Sequence, residues 1–396
     1  MSHPLIDLNE DLRRLRDKGF NLSIHEACLV VRDIPYVTAS REVRTDGILV
    51  SPLDLDGDIT RQPSDHQIRF AGERPSTPDG SELHGVRPHP SAHRISAELS
   101  ADFHFSNKPK RGHYLDFYEK IDSYAKHLWG PAQAIDPKCT PYTYVTVPSE
   151  DDAAPFRYLD TASGRAEISA ISQKLTLEKV AIIGVGGTGS YVLDLLAKTP
   201  IGEIHLFDDD VFSTHNAFRS PGAPTLEELR ARSSKVEYFA GIYSKMRDGI
   251  IPHDESLTED NLALLDGMAF VFLCIDANPD KRAIVDGLEE RGIPFIETGL
   301  GVVENNEKLT GLIRTTTSLP KHRDKVRHRI PLVESDVENE YDRNIQIADL
   351  NMLNAVLAVI RWKKWCGFYV DMKGELFSTY AVARNALINE HFIDES

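Results

Sequence analysis

The chain has 396 residues, of which 41% are hydrophobic, and it carries a formal net charge of −16 at pH 7. This length is enough for two domains, each with its own hydrophobic core. No apolar run approaches the roughly 20 residues that a membrane helix requires, so we expect no membrane-spanning segment. A surface this acidic repels nucleic acid and offers no broad basic face, which disfavours a nucleic-acid partner.

Four cysteines lie far apart in the sequence and form no C-x-x-C pair. This distribution argues against a disulfide framework and indicates a reducing compartment. It also provides no pair of C-x-x-C motifs for a structural zinc site. The beginning of the sequence lacks a basic-then-apolar signal pattern, and we expect a cytoplasmic protein.

The first part of the chain is predicted to be an N-terminal α+β domain spanning residues 1–155. Leucines spaced three and four apart predict an amphipathic helix between residues 5 and 20. Residues 27–52 are β-rich, with Asp46-Gly47 as the predicted hairpin turn. Residues 71–93 are dense in Pro, Gly, Ser and His and predict a surface loop. No pattern in this domain specifies a reaction, and we interpret it as a domain that recruits a partner.

The second part, residues 160–396, is predicted to be a Rossmann-like α/β domain. Apolar segments of strand length alternate with helical segments, which is typical of a mostly parallel, doubly wound sheet with helices on both faces. The last two predicted strands are expected to be antiparallel. The six strands are predicted at 179–185, 203–207, 269–275, 293–297, 309–315 and 376–383. A long helix over 345–365 presents an apolar packing face formed by Leu350, Leu353, Leu357 and Ile360.

A glycine-rich turn follows the first strand of this second domain. Its glycines are Gly184, Gly186, Gly187 and Gly189, and Asp208 closes the next strand about twenty residues later. In such a strand-helix-strand unit, N–H groups at the helix N-terminus face phosphate and the carboxylate reaches the ribose hydroxyls. The turn alone does not separate a redox enzyme from an enzyme that uses ATP.

Polar residues downstream of the turn favour ATP. They are Asp210, Asn216, Arg219, Lys235 and Asp276. A dehydrogenase has no use for so many charged groups at the phosphate end. An enzyme that splits ATP between its α- and β-phosphates needs cations to offset the charge on the α-phosphate, and a carboxylate to hold Mg²⁺.

Together these residues resemble the adenylation domain of ubiquitin-activating enzymes and of their ThiF- and MoeB-type bacterial relatives, over roughly residues 160–396. The resemblance implies that the four glycines form the phosphate turn and that Asp208, with Asp210 beside it, lies at the ribose. It implies phosphate contacts from Asn216, Arg219 and Lys235, and Mg²⁺ on Asp276. It further implies that Arg165 enters the active site of the partner subunit in a homodimer.

The resemblance also implies a reaction. ATP·Mg²⁺ would adenylate the C-terminal carboxylate of a ubiquitin-like protein, which would then pass to a conjugating-enzyme-like protein or another acceptor. Bacterial proteins of this type often belong to small conjugation systems, some of them linked to phage defence. Two other classes stay open from the residues: an NAD(P)-dependent Rossmann oxidoreductase, and a catalytically silent scaffold that binds a ubiquitin-like protein.

The acyl acceptor is open as well. The loop expected to cross over the substrate tail, residues 314–342, contains no cysteine. Three interpretations of this loop stay open. It is only a solvated loop; or the protein is a pure adenylating enzyme, which releases the acyl adenylate to another protein; or a hydroxyl such as that of Ser318 takes the acyl group as an ester. A serine needs a nearby base for that role, and His322 is four residues away. Cys274, within an apolar strand, is interpreted as a buried small hydrophobe.

Overall fold

The computed structural model describes residues 4–83, 87–96, 99–145, 155–158, 160–165, 168–332 and 345–393. The chain divides into two compact units, Met1–Gln173 and Lys174–Ser396. The predicted boundary, between residues 155 and 160, lies earlier in the chain. Within the described ranges, no helix is long and apolar enough to cross a membrane.

The N-terminal unit combines one large antiparallel sheet with short helices and one long helix. Its helices are α1 (Pro4–Leu8), α2 (Glu10–Asp17), α3 (Phe117–Ile135), α4 (Thr161–Arg165) and α5 (Ser169–Ser172). Its strands are β1 (Asn21–His25), β2 (Cys28–Thr38), β3 (Val43–Pro52), β4 (Leu55–Asp56), β5 (Ile59–Thr60), β6 (Gln67–Ala71), β7 (Pro75–Ser76), β8 (Arg87–Arg94) and β9 (Ser100–Ser106).

The main sheet of this unit has the order β1-β2-β3-β6-β9-β8, with β7 paired to β2. Helix α3 begins at the N-cap Asp116, whose side chain accepts a hydrogen bond of 2.7 Å from Glu119 N. Its buried face includes Phe117, Ile121 and Tyr124, which join the core formed by the sheet. The apolar side chains of α3 at helical spacing therefore attach it to one face of the sheet.

Two sequence predictions for this unit are wrong. Asp46-Gly47 is not a hairpin turn but lies inside β3, and the β2-β3 turn comes earlier, around Arg41, which has a φ of +69°. Glycine is needed at position 47 for space, because a Cβ there would lie 2.5 Å from Ile34 O. The region predicted as a surface loop over 71–93 contains β7 and most of β8, since the proline-rich sequence still pairs with β9.

The C-terminal unit is a single mixed sheet with helices. Its helices are α6 (Gly187–Leu196), α7 (Thr214–Ala217), α8 (Leu226–Ala231), α9 (Lys235–Tyr243), α10 (Pro279–Glu290), α11 (Arg323–Val326) and α12 (Ala348–Trp365). Its strands are β10 (Lys179–Ile183), β11 (Glu203–Phe207), β12 (Ile250–His253), β13 (Phe270–Leu273), β14 (Phe295–Asn305), β15 (Lys308–Ser318), β16 (Glu375–Ala381) and β17 (Ala386–Phe392).

The order of this sheet is β12-β11-β10-β13-β14-β15-β16-β17. The pairs from β12 to β14 are parallel, and those from β14 to β17 are antiparallel. Separate apolar cores cover its two faces, one around α6, α9 and α12 and the other around α10. The prediction of a mostly parallel, doubly wound sheet with late antiparallel strands is confirmed.

Two predicted details of this unit are wrong. The buried face of α12 is formed not by the leucines but by Asn351, Asn354, Ala355, Ala358, Val359 and Trp362, and Ile360 is 39% exposed. Small side chains let this helix approach α6 closely, which the leucines would prevent. The loop predicted over 314–342 begins as the end of β15 and continues into α11, and residues 333–344 lie outside the described residues.

Candidate active site in the C-terminal unit

The polar residues singled out from the sequence meet at the carboxyl edge of the parallel strands. A pocket of about 340 Å³ opens there, and we call it the glycine-turn pocket. Parallel neighbours such as β10, β11 and β13 end on the same edge of a sheet, which brings residues distant in sequence together. The predicted site residues that line this pocket are Gly184, Gly186, Gly187, Asp208, Asp210, Arg219, Lys235 and Asp276.

The glycine turn connects β10 to α6 and lines one end of the pocket. Gly184 has a φ of +86°, in the left-handed region that favours glycine. A Cβ at Gly189 would lie 1.9 Å from Gly184 O, so this glycine allows the helix to start directly against the turn. Gly186 is the N-cap of α6 and has open space beside it. The unpaired N–H groups at this helix start provide a site for an anion.

Lys235 and two carboxylates form an ion cluster in the pocket. Lys235 Nζ lies 3.0 Å from Asp208 Oδ1 and 2.5 Å from Asp210 Oδ2. Asp208 Oδ2 accepts a hydrogen bond of 2.7 Å from Val185 N, which ties the acidic strand end to the glycine turn. Lys235 is the first residue of α9, and its N–H donates to Asp210 O. Its ammonium is therefore held within the pocket by both side-chain and backbone contacts.

Arg219 brings a second cation to the pocket. Its Nε is buried and has no hydrogen-bond partner within the part of the chain that the structure describes. An unmade hydrogen bond at a buried donor costs about 1–3 kcal/mol, so an anionic ligand that satisfies it gains affinity.

Asn216 supports the turn that carries Arg219 but does not line the pocket. Its Oδ1 accepts hydrogen bonds from Ser213 N (2.9 Å) and Ser213 Oγ (2.8 Å), and its backbone oxygen accepts from Arg219 N. Its Nδ2 is buried and, among the described residues, makes no hydrogen bond. The phosphate contact predicted for Asn216 stays a prediction, and the contacts seen are those of a cap at the start of α7.

Asp276 and Asp280 bring two more carboxylates to the pocket from the start of α10. Asn278 is the N-cap of this helix, because its Oδ1 accepts a hydrogen bond of 2.8 Å from Lys281 N. Among the described residues, no group of three or more His, Cys, Asp or Glu side chains forms a metal cluster. Mg²⁺ commonly takes one or two carboxylates, several waters and substrate phosphates, so this sparse donor set fits that ion.

A second cavity, of about 270 Å³, adjoins the glycine-turn pocket and shares four lining residues with it, Ile275, Asp276, Thr298 and Leu300. We call it the hairpin cavity because the β14-β15 hairpin contributes Gly299, Gly301, Leu312 and Arg314 to its wall. Asp276 therefore lies where the two spaces meet, and a ligand in one space can be brought against a ligand in the other.

A buried ion network supports the wall of the hairpin cavity. Glu297 is fully buried, and its Oε1 lies 2.8 Å from both Lys281 Nζ and Arg314 Nη2. Burial alone would raise the pKa of Glu297, but the charges of Lys281 and Arg314 hold this pKa below its ordinary value. The ionised carboxylate fixes the Arg314 guanidinium, which is partly exposed on the cavity wall. Glu297 is a charged residue within an apolar strand, and this was a signal in the sequence.

Two asparagines of α12 complete the site, and the sequence analysis did not identify them. Asn351 Oδ1 accepts a hydrogen bond of 3.0 Å from Thr188 Oγ1, at the start of α6. Asn354 lines the glycine-turn pocket, and its Nδ2 donates to Gly299 O at 3.3 Å. A Cβ at Gly187 would lie 2.3 Å from Asn351 Nδ2, so this glycine is a packing position. Two amides three positions apart, next to the apolar middle of α12, were the available signal.

Three further residues with predicted roles do not form part of the polar cluster. Ser318 ends β15 and is 1% exposed, so an acyl group has no access to its hydroxyl in this conformation; its acceptor role stays a prediction without support. Arg165 ends α4 in the N-terminal unit, and its side chain lies outside the described residues, so its role across a dimer stays a prediction. Cys274 lines the pocket, but burial raises the pKa of its thiol to about 12 and keeps it protonated.

This arrangement of a glycine turn, an acidic strand end and two cations is typical of nucleotide-binding α/β domains. Residues 164–335 match the model of the ThiF family, and we call this region the ThiF-type domain. Residues 10–161 match a separate family, described as a domain of unknown function (DUF6791).

Similar proteins of known name align with parts of the chain. The tRNA threonylcarbamoyladenosine dehydratase of Escherichia coli is 29% identical over 123 residues, which cover 30% of this chain and 45% of that protein. Ubiquitin-like modifier-activating enzyme 5 of Drosophila mojavensis is 27% identical over 164 residues, 38% of this chain and 40% of that protein. The chain thus spans less than half the length of these relatives. The crystal structure of E. coli MccB has a TM-score of 0.46 at 16% identity, covering 61% of this chain and 70% of MccB.

Proposed function

We propose that the C-terminal unit uses ATP and Mg²⁺ to adenylate the C-terminal carboxylate of a ubiquitin-like protein. The observation that carries the proposal is the meeting of the α6 N-terminus, Arg219, Lys235 and Asp276 around one pocket that adjoins a second cavity. Nucleotide and acyl substrate have to meet in adenylation, and the two spaces meet at Asp276.

In this proposal the phosphates lie against the start of α6, beside the open space at Gly186. Arg219 donates its Nε–H group to the phosphates. The Lys235 ammonium, which contacts Asp208 and Asp210, also attracts the phosphates electrostatically. Asp208 then accepts hydrogen bonds from the ribose hydroxyls. Mg²⁺ on Asp276 would offset phosphate charge when bound.

The reaction needs no general base, because a carboxylate is already ionised at neutral pH. One carboxylate oxygen attacks the α-phosphorus, the bond from that phosphorus to the bridging oxygen breaks, and pyrophosphate leaves. The contribution of the protein is electrostatic: Arg219, Lys235 and the helix N-terminus stabilise charge on the α-phosphate during in-line attack.

A protein substrate is favoured by the surface around the hairpin cavity. Alternation along β14, β15 and β17 puts Val303, Leu312 and Ile388 on one face of the sheet, and each is about half exposed. Leu312 also lines the cavity, so an apolar surface continues from the space proposed for the tail. A folded domain can bind there while its extended tail reaches Asp276. The net charge of −16 disfavours tRNA as the substrate.

The proposal includes a homodimer of the chain, with Arg165 acting across it, and a conjugating-enzyme-like protein that receives the acyl group. Leu309, Leu387 and Met352 are each 50% exposed on the side of the sheet that carries α12, which supports association with a second copy. The N-terminal unit would recruit the conjugating enzyme or the ubiquitin-like protein.

ATP–pyrophosphate exchange in the presence of the cognate ubiquitin-like protein tests the proposal. We expect Asp276→Ala to lower exchange by about a hundredfold or more, because the metal and its charge are lost from the transition state. The matched control is Glu290→Ala, which removes an exposed carboxylate at the end of the same helix. Exchange retained by Asp276→Ala, or lost equally in both variants, would contradict the assignment.

Two further arms separate the alternatives. Exchange driven by tRNA instead of protein would replace the proposed substrate, and binding of a nicotinamide cofactor without exchange would favour an oxidoreductase. Intact mass spectrometry with and without hydroxylamine then distinguishes a released adenylate from a thioester or an oxygen ester.

A further inference from the structure

The N-terminal unit contains a polar cavity of about 260 Å³ at a place where two strands of its sheet separate. β3 and β6 pair from Ile48↔Ala71 to Val50↔Arg69, and the pairing then stops although both strands continue. Seven polar residues line the opening: Asp54, Ser64, Asp65, Gln67, Arg69, His104 and Lys120. We call it the lysine cavity.

Lys120 reaches the cavity from α3 and is 2% exposed. Its Nζ donates to Ser51 Oγ at 3.0 Å, and among the described residues no carboxylate lies within the 4.0 Å of an ion pair. An ammonium has three donors, and with one hydroxyl acceptor two of them have no partner within the described ranges. Burial lowers the pKa of Lys120 to about 8, although Asp65 and Asp54 oppose this shift.

The two carboxylates of the cavity are engaged by their own loop. Asp54 Oδ2 accepts a hydrogen bond of 2.8 Å from Ser64 N, and Asp65 Oδ1 accepts one of 3.0 Å from Gln67 N. Neither carboxylate compensates the lysine charge at hydrogen-bond distance. A buried ammonium without a counter-charge is costly in a folded protein, and a bound anion would remove that cost.

We propose that the lysine cavity binds the carboxylate of a small zwitterionic ligand, with the Lys120 ammonium as its counter-charge. Arg69 and His104 are opposite each other on β6 and β9 and add basic groups to the same space. Asp54 and Asp65 add negative charge, which suits an ammonium or hydroxyl group at the other end of the ligand.

The same charges disfavour phosphate. A dianion near Asp54 and Asp65 would meet like charge, whereas a carboxylate carries a single negative charge. The volume also limits the ligand, because cavities for drug-sized molecules are roughly 300–1,000 Å³. A compound of the size of a free amino acid fits both conditions. The site is independent of the adenylation proposed for the other unit.

Calorimetric titration of the full chain tests the proposal with three probes: 4-aminobutyrate, its amide 4-aminobutanamide, which keeps the ammonium but lacks the carboxylate charge, and inorganic phosphate. We expect 4-aminobutyrate to bind the unmodified chain at least about tenfold more tightly than the amide does, which is the effect of a charge-assisted hydrogen bond. Lys120→Met should weaken binding by a similar factor. Lys126→Met, which removes an exposed lysine from the same helix, should leave it unchanged.

A pH series adds a second signature. Binding of the anion needs protonated Lys120, so affinity should fall as the pH rises above about 8. Asp54, Asp65, Arg69 and His104 face the same space, and Lys120→Met removes only the lysine from this set. The pH dependence should therefore be reduced in this variant and retained in Lys126→Met.

Acetylation with acetic anhydride, read by peptide mass spectrometry, keeps the test valid if Lys120→Met fails to fold. With 4-aminobutyrate in large excess over the anhydride, which also acetylates the amine of this ligand, we expect acetylation of Lys120 to fall relative to that of Lys126 in the unmodified chain. Equal binding of the acid and the amide, tighter binding of phosphate, undiminished binding to folded Lys120→Met, or absence of protection would each overturn the proposal.

Discussion

The two units of the chain each bury a lysine from a helix against a sheet, and they treat its charge differently. Lys281 of the C-terminal unit lies 2.8 Å from the fully buried Glu297. Lys120 of the N-terminal unit has a serine hydroxyl as its hydrogen-bond partner among the described residues. In the ThiF-type domain the protein balances its own buried charge, and this fixes a scaffold around the site. In the N-terminal unit, the proposed ligand supplies the negative charge that balances Lys120.

The largest expected effect is a difference in the free energy of unfolding between variants of the two buried lysines. Lys281→Met should lower the free energy of unfolding by about 3–5 kcal/mol, because it leaves Glu297 buried with only the partly exposed Arg314 as a cationic partner. Lys120→Met should be neutral or stabilising, because it removes a buried charge that has no carboxylate partner in the part of the chain that the structure describes. Calorimetric unfolding of both variants measures this contrast.

Lys126→Met is the control for loss of a surface lysine and should change stability by less than about 1 kcal/mol. If Lys120→Met destabilised the chain as much as Lys281→Met, the two lysines would have equivalent structural roles and the contrast between the units would be lost.

The second expected effect is a pH dependence of stability. The pKa of Lys120 is about 8 in the folded chain and 10.5 at its ordinary value. Between these values the unfolded chain binds more protons, so the free energy of unfolding rises with pH. Relative to Lys120→Met, the unmodified chain should gain about 3 kcal/mol from pH 8 to 10.5. Unfolding measured in buffers without carboxylates checks this; a difference that is flat or falls with pH would exclude a lowered pKa.

The smallest expected effect is a difference in stability between alanine substitutions at two glycines of the same turn. Gly189→Ala should destabilise the C-terminal unit by about 1–3 kcal/mol, because the new Cβ meets Gly184 O. Gly186→Ala should leave stability nearly unchanged, since its φ is −80° and the space is open, but it should weaken ATP binding. Unfolding and nucleotide titration of both variants test this. Equal effects of the two substitutions on stability would contradict the close contact between position 189 and Gly184 O.

Much of the C-terminal unit could be predicted from local patterns. Buried parallel strands appear as short apolar runs, and the glycine turn and Asp208 follow such strands at a fixed spacing. Arg219, Lys235 and Asp276 could be selected by residue type because catalysis at phosphate needs cations and a metal ligand. Their convergence on one pocket was implied by the resemblance to ThiF-type proteins, and the structure brings them together.

The rest depended on contacts between distant segments. The leucines of α12 formed the more obvious apolar face, but close packing against α6 favours the face with Asn351 and Asn354. Gly47 appeared to be a turn residue, yet it is needed where β3 passes close to Ile34. Patterns along one segment cannot indicate how near another backbone will come.

The sequence by itself determined six of the eight strands of the ThiF-type domain, all except β12 and β17, and the chemical types of residue at its candidate site, because these follow from spacing within short segments. Only the tertiary structure decided which charges are compensated. Glu297 meets Lys281 and Arg314 across two elements, whereas Lys120 lies in an opening between strands that no carboxylate reaches at ion-pair distance among the described residues. Compensation of charge depends on distances of a few ångströms between segments far apart in the chain, and these distances are set only when the sheet and helices pack.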